Sequence, residues 1–495
     1  MVTQEPTAVG VQDAKKTDLL QVHSQATVVD HAELLTDSEA ERRLLRKLDL
    51  RIMPILFASY FLSVVDRSSV SFAKISNVEK KRNLQATANI SEEQFSIALA
   101  AFFVGYILFE IPSNLALKKV VAPTWIARIM VSWGIVTTCQ VLITKPWHFI
   151  LLRFLLGACE AGFFPGVVYY LTFWYRKTEC AKRIAGFYIA TSVSGVVGSA
   201  WAYGMAQIDG QAGYYGWQLL FLTNGVPTIA LGLLVYFILP AKPSDESKWL
   251  TPDERALACN RLRVTGVSDS QSKIDKREFW KVFKDYKNYL FIVMYFSVVM
   301  AANALGLFLP TILFILGYTS LDATRMSVGP YAAGVILTMG MAYLSDRTRQ
   351  RSIFIMISAL IGVIGFAILA GTPFADKTGK YVGCILAVGG VFSAIPLVFA
   401  WLSANIHDST FQVTAIAFVS SVGNLGSVVA SYAQYKDDKP KYVRSHMINC
   451  IGLALTVVVA AALRIIYARK NKKQHAARQD RESADGEMNR PAYVL

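Results

Sequence analysis

Charge is scarce in this chain. Asp, Glu, Lys and Arg make up 17% of its 495 residues, against 54% hydrophobic. A soluble globular chain is about a quarter charged, and so large an apolar surplus does not fit inside one water-soluble core. Disorder, a collagen-like fibre and a small disulfide scaffold are excluded. Cysteine is scarce too: the six (139, 159, 180, 259, 384 and 450) form no CxxC pair, four lie in apolar runs, and they read as small apolar fillers. The six histidines, His23, His31, His148, His407, His446 and His475, are scattered over tails and helix ends, which argues against a metal cluster. No Gly-x-x-x-x-Gly-Lys-Ser/Thr loop is present to drive a pump with ATP; the nearest fragment, Gly379-Lys380, sits in a short external loop. No nucleophile–base set is visible, so the chain reads as a non-enzyme with no cofactor and no metal. The first 48 residues lack the apolar core of a cleaved signal peptide.

What is abundant is long apolar runs. A membrane helix needs roughly 20 of them in a row, because the hydrocarbon core is about 30 Å thick. Twelve runs qualify: 51–73, 94–117, 123–144, 147–173, 183–206, 216–239, 288–316, 326–345, 353–371, 381–404, 411–434 and 446–467. The pattern predicts an all-α membrane protein with twelve transmembrane helices in two six-helix bundles. Its expected parts are a tail over 1–48, a first bundle over 49–239, a polar central loop over 240–287, a second bundle over 288–467 and a tail over 468–495. Both tails are expected to be mobile. The formal charge of +15 fits loops facing anionic lipid better than a nucleic-acid groove. Lys and Arg crowd the entrance of the first run (Arg42, Arg43, Arg46, Lys47, Arg51) and follow the fourth (Arg176, Arg183), the eighth (Arg347, Arg349, Arg351) and the twelfth (Arg469, Lys470). Lys80, Lys81 and Arg82 after the first run, and Lys436, Lys439 and Lys441 after the eleventh, run against this trend. On balance both termini are placed in the cytoplasm.

Ionisable groups deep in a bilayer cost about 2.5–3.5 kcal/mol each even on the gentlest scale. The deep ones are Asp66 and Arg67 in the first run, Glu110 in the second, and Arg153 and Glu160 in the fourth. All belong to the first half. The second half offers uncharged groups such as Asn303, Trp401 and Asn405, which are candidates to shape a substrate pocket, with Trp401 placed to stack on substrate. At about 1.5 Å per residue, Asp66 and Arg153 both fall about 10 Å below the outer surface and are within reach of each other. Glu160 follows two turns below Arg153. A column Asp66–Arg153–Glu160 facing Arg67 joins two carboxylates that take protons to two guanidiniums that do not lose them. That is the minimum needed to couple a proton to an anion. The alternative is that Asp66 and Arg153 are a structural lock between helices. Glu110, nearer the cytoplasmic end, reads as a packing or gating residue. Gly157, Gly162, Pro165, Gly195 and Gly198 permit close helix contact or bending, and Trp133 and Trp201 read as packing or interface anchors. Asn89-Ile90-Ser91, the one Asn-x-Ser/Thr sequon, falls in an external loop and is a candidate glycosylation site.

Several stretches resemble the major facilitator superfamily and, within it, the fungal allantoate/nicotinate-permease branch of the anion:cation symporter family. They are Asp66-Arg67, GYILFEIPSN at 105–114, RFLLGACEAGFFPG at 153–166, FLP at 308–310, LGY at 316–318 and WLSAN at 401–405. SDRTRQR at 345–351 is similar to that superfamily's loop motif, which makes Asp346 and Arg347 the expected latch between neighbouring helices. The resemblance implies proton binding at Asp66 and Glu160, substrate carboxylate binding at Arg67, and pairing of Arg153 with the acids. The chain departs from the family pattern at Ser69, where Asn is frequent, at Asn224, where Glu is usual, and at Gln412, where a basic residue is common.

The expectation is a proton-coupled importer of a small organic anion, such as a vitamin carboxylate, a ureide acid or a sugar acid, working by alternating access. It would sit in the plasma membrane as a monomer, surrounded by lipid and with no nucleic-acid partner. An exporter of an acidic metabolite on the same scaffold is one alternative; a non-transporting nutrient sensor is another, disfavoured by short tails.

Overall fold

The computed structural model describes residues 9–117, 119–245, 249–263, 276–373, 375–406, 409–432 and 442–482, with side chains mainly between Glu39 and Lys473. The side chains of Gln412, of Lys436, Lys439 and Lys441, and of His23, His31, His407 and His475 lie outside the described residues. Every regular element among the described residues is helical.

Eleven stretches are long and apolar enough to cross a membrane: Glu39–Ile75, Glu92–Leu117, Ala122–Leu142, Pro146–Thr172, Gly216–Ile238, Tyr286–Ile315, Ser320–Thr348, Arg351–Gly371, Lys377–Ala404, Thr414–Ser431 and Val443–Lys473. The twelfth is the 31-residue helix Lys177–Gln207, which follows the fourth of them and has several side chains outside the described residues. Numbered in chain order with this helix fifth, these are spans 1 to 12 of an all-helical membrane fold. They coincide closely with the twelve apolar runs. The tails differ from expectation: span 1 is the end of a helix that runs from Val9 to Ile75, and span 12 continues to Glu482. Residues 11–53 and 468–482 contain no Pro or Gly and are rich in Ala, Leu, Gln, Lys and Arg, so nothing in the local chemistry stops the helix at the apolar boundary.

Three spans are broken. Pro146, whose fixed φ suits the first helical turn, starts span 4. The span divides after Glu160 and resumes at Phe163, turning through Gly162 at φ +83°, a left-handed conformation that suits glycine. Span 8 divides at Ser327 and span 11 at Asn424. Gly162 and Ser327 are buried, and interrupted backbone is tolerated where protein covers it.

Close helix approach then fixes the interior of the first half. A side chain at Gly157 in span 4 would overlap the Phe102 carbonyl of span 2, and one at Gly105 would overlap that of Phe154. The two backbones are in contact, which sets the depth of Glu160 one turn later. Spans 3 and 6 meet in the same way at Gly134 and Gly225, bringing Trp133 and Thr228 to the same level.

The apolar interior forms two large clusters. One lies within residues 44–258 and takes in Leu307 and Phe308 from span 7. The other lies within 291–467 and takes in Ile75 from span 1. Spans 1 and 7 thus each insert an end into the opposite half. Leu108, Ile336, Ile451 and Val458 stay exposed on the outside of the helices, as a lipid-facing surface requires.

The halves also meet at the end of the molecule opposite the described termini. Glu79, between spans 1 and 2, accepts the backbone N–H of Ser320 at 2.6 Å on one oxygen and its hydroxyl at 2.6 Å on the other. Lys74 lies 5.6 Å from the centre of the Phe308 ring. Gly195 of span 5 is so close to Tyr331 of span 8 that a side chain there would strike the ring. At the other end, charge ties the polar helix Pro252–Arg263 to the first half: Lys47–Glu254 at 2.6 Å, Arg261–Glu179 at 2.5 Å and Arg261–Glu41 at 3.3 Å. Arg183–Asp49 at 2.6 Å joins spans 5 and 1 beside it.

Candidate substrate and proton site

Four ionisable side chains were expected to converge, and the structure gathers them where spans 1 and 4 face spans 2, 3 and 6. Consecutive residues on a helix point about 100° apart, so Asp66 and Arg67 enter different environments. Asp66 is 1% exposed and points between spans 3 and 6. One of its oxygens accepts the Trp133 indole N–H at 3.1 Å and the Thr228 hydroxyl at 3.4 Å. The other has no protein hydrogen-bond partner.

Arg67 points toward the break in span 4. Its Nε and Nη2 both donate to one oxygen of Glu160, at 2.9 and 2.8 Å. Ser63, one turn earlier on the same face, donates its hydroxyl to that oxygen as well. Glu160 is 1% exposed, and its second oxygen is unpartnered. Arg67 is the accessible member of the cluster: its side chain is 30% exposed. Its guanidinium rests 5.0 Å from the Tyr106 ring centre and 5.4 Å from that of Phe102, a cation–π seat that holds it without consuming its remaining N–H groups.

Arg153 is 2% exposed, with Phe149 and Phe221 at 5.5 and 5.8 Å from its guanidinium carbon. Its Nε and Nη2 have no hydrogen-bond partner. The direct ion pair of the cluster is therefore Arg67–Glu160, whereas the resemblance implied that Arg153 pairs with the acids. Depth arithmetic put these residues within reach of one another. It does not resolve which way a side chain turns within about 100° of arc, and that choice decided the pairing.

The remaining candidates divide. Glu110 is buried and accepts a hydrogen bond from Ser421 of span 11 at 3.1 Å, linking the two halves. Asn303 of span 7 donates to Ser427 of span 11 at 2.9 Å. Trp401 is fully buried, with Phe291 and Tyr467 edge-on at 5.4 and 5.8 Å, deep in the second-half core. Asn405 is buried, donates to the Trp401 carbonyl at 3.0 Å, and lines a small cavity with Asp285, Lys287 and Phe411 rather than the charged cluster. In the loop after span 8, Asp346 pairs with Arg351 at 3.6 Å, while Arg347 reaches the Tyr343 hydroxyl at 3.5 Å. Arg351 also donates to the Ala400 carbonyl of span 10, so the latch geometry belongs to it. Asn89 is exposed at φ +51°, and the Ser91 hydroxyl of its sequon caps span 2 by accepting the Gln94 N–H at 3.1 Å.

Sequence reasoning missed Ser63, Thr228 and the role of Trp133. The signal for Trp133 was an indole N–H in an apolar span, a donor that needs a partner once it is buried. Two positions at which the chain departs from the family pattern meet in space: Asn224 donates to the Ser69 hydroxyl at 2.6 Å, both buried, one turn from Asp66. A neutral pair stands where an acid and an amide are usual.

A family model described as Major Facilitator Superfamily matches residues 56–431. The MFS transporter prlL of a fungal species (strain NRRL 50135) is 35% identical over 89% of this chain and 90% of its own length. A protein of Agrobacterium vitis named for tartrate transport is 31% identical over 88% of this chain and 94% of its own. Among solved structures, a D-xylose–proton symporter superposes with a TM-score of 0.64 at 14% identity, covering 83% of this chain and 97% of that one; at that identity the likeness speaks for the fold.

Proposed function

The chain belongs to the major facilitator superfamily, and from that premise we propose that it imports a small organic anion together with protons. A vitamin carboxylate, a ureide acid or a sugar acid is the intended cargo. The observation that carries this reading is the state of Arg67: a partly exposed guanidinium whose acid partner is wholly buried. An anion arriving from the cavity competes with Glu160 for Arg67, because a planar guanidinium suits a carboxylate edge-on. Glu160 then loses the cation it is hydrogen-bonded to while staying buried beside Ser63, and on this reading a proton takes that cation's place. Cargo and proton are loaded by one exchange of partners. Asp66, held by Trp133 and Thr228, is the second proton carrier, and Arg153 balances the two acids. The relative named for tartrate transport agrees with an anionic cargo.

On this reading both termini are cytoplasmic, the seam at Glu79–Ser320 is the outer gate, and the two six-helix halves rock about the cluster. Glu110–Ser421 and the Asp346–Arg351 latch change with that rocking, and Asn89 faces outward for glycosylation. The test is uptake of a panel of labelled carboxylates, with tartrate, nicotinate, allantoate and gluconate among them, in transporter-deleted cells at two external pH values. At least one anion should accumulate faster at the lower pH. Equal uptake by expressing and empty cells across the panel would refute the reading.

The gate carries its own prediction. Partial burial pushes the Glu79 carboxyl up, but the Ser320 hydrogen bonds outweigh that and leave it below its ordinary value. A depressed carboxyl stabilises the closed seam above the ordinary carboxylate range, and that support is lost as the pH falls through the folded value. Glu79→Gln should loosen the seam at neutral pH. In a cysteine-free background with Val196→Cys, an impermeant maleimide applied outside should label several-fold faster when Glu79 is Gln; unchanged labelling would remove Glu79 from the gate.

A further inference from the structure

Beyond the four charged groups, the first half contains polar atoms that are buried and have no protein partner. One group of them lies on the side of Asp66 toward the closed seam. Thr137 and Gln140 of span 3 are fully buried, and the Thr137 hydroxyl and both amide atoms of Gln140 have no hydrogen-bond partner. Positions 133, 137 and 140 share one helix face. Trp133 at its inner end holds Asp66, and Gln140 lies about 10 Å farther toward the end where the seam is closed. Alongside run Arg153, with two unpartnered nitrogens next to Phe221, and Trp217, whose indole N–H is unpartnered one turn from Phe221 at the start of span 6. Gln218 donates to the Val141 carbonyl at 2.9 Å and pins the mouth of this region, where Tyr215 is exposed.

A buried amide with neither donor nor acceptor satisfied costs several kcal/mol, and in native proteins such groups are held by internal water. We propose that Thr137, Gln140, Arg153 and Trp217 line a file of bound waters inside the first half, leading from its outer end to the free oxygen of Asp66. The file is a proton route separate from the substrate cavity, in which Arg67 faces Glu160. Outward of Trp133, spans 3 and 6 carry no charged residue. The charged groups facing Asp66 are thus Arg153 and Glu160, both on span 4; Arg67 on its own span turns away to Glu160. Thr137 and Gln140 act as positioning residues for the water. The proposal rests on the proton-coupled reading for its purpose, though not for its existence.

X-ray radiolysis of the purified full chain generates hydroxyl radicals from water in place, and mass spectrometry reads which side chains they oxidise. Trp133 and Trp401 are both fully buried. Trp133 should oxidise at a rate approaching that of the exposed Trp147, while Trp401, in the apolar second-half core, stays protected. Thr137→Val with Gln140→Leu should cut Trp133 oxidation at least fivefold, and Thr137→Ser alone should preserve it, which separates lost water from lost folding. Trp133 as protected as Trp401 in the unmodified chain would overturn the proposal. Failure of the symport reading looks different: no anion of the panel responds to external acid, yet the Trp133 footprint remains.

Discussion

Arg67→Ala should abolish accumulation of the cargo, lowering uptake by about a hundredfold or more at subsaturating substrate. Arg67 is the partly exposed cation of the cluster and the partner of Glu160 at 2.8 Å, so the substitution removes the anion's anchor and strips a buried carboxylate of its hydrogen-bonded cation. Breaking a buried pair from one side costs about 3–5 kcal/mol, enough to threaten folding, so the single variant is not decisive by itself. Arg67→Ala with Glu160→Gln removes the stranded charge and should restore a well-folded protein that still fails to bind. Arg67→Lys keeps the charge but not the planar fork that now meets Glu160 through two nitrogens, and should retain a small fraction of uptake. Expression and thermal stability of the double variant, measured beside uptake, tell loss of the site from loss of the protein. Normal accumulation by Arg67→Ala would end the proposed mechanism.

Glu160→Gln should separate transport from its driving force. Gln can still accept the Ser63 hydroxyl and lie beside Arg67, but it cannot take or release a proton. In proteoliposomes, exchange of labelled for unlabelled cargo should continue near the unmodified rate, while uptake driven by a pH gradient falls at least tenfold. Asp66→Asn should weaken the same gradient response while leaving Arg67–Glu160 in place, because Asp66 is held by Trp133 and Thr228 and not by the guanidinium. A Glu160→Gln variant that still concentrates its cargo along a pH gradient would move the coupling role elsewhere.

The sequence discloses the order of the spans and most of their ends to within a few residues, because hydrocarbon thickness sets their minimum length. It also discloses the four charged positions, since charge in oil stands out against any apolar background. Neighbours are less legible. That Asp66 is held by Trp133 and Thr228, and that Glu160 takes Arg67, depends on close backbone contacts at Gly105–Gly157 and Gly134–Gly225, which a single chain read linearly does not place. The polar helix Pro252–Arg263 escaped notice for another reason: its buried apolar face is short, Ala258 and Leu262, and ion pairs to Lys47, Glu41 and Glu179 add to it. Trp401 and Asn405 were chosen for chemical type at plausible depth, and type alone did not tell a core tryptophan from a cavity wall.

The crossing-over of spans 1 and 7 has a thermal consequence. Ile75 sits among second-half side chains and Leu307 and Phe308 among first-half ones, so parting the outer surfaces must withdraw all three from their foreign hosts. Each such side chain, if wetted, resists by about 1.5–3 kcal/mol, and exposed hydrocarbon raises heat capacity. The opening equilibrium should therefore bend with temperature, and added salt should barely move it: oil more than ions keeps the door.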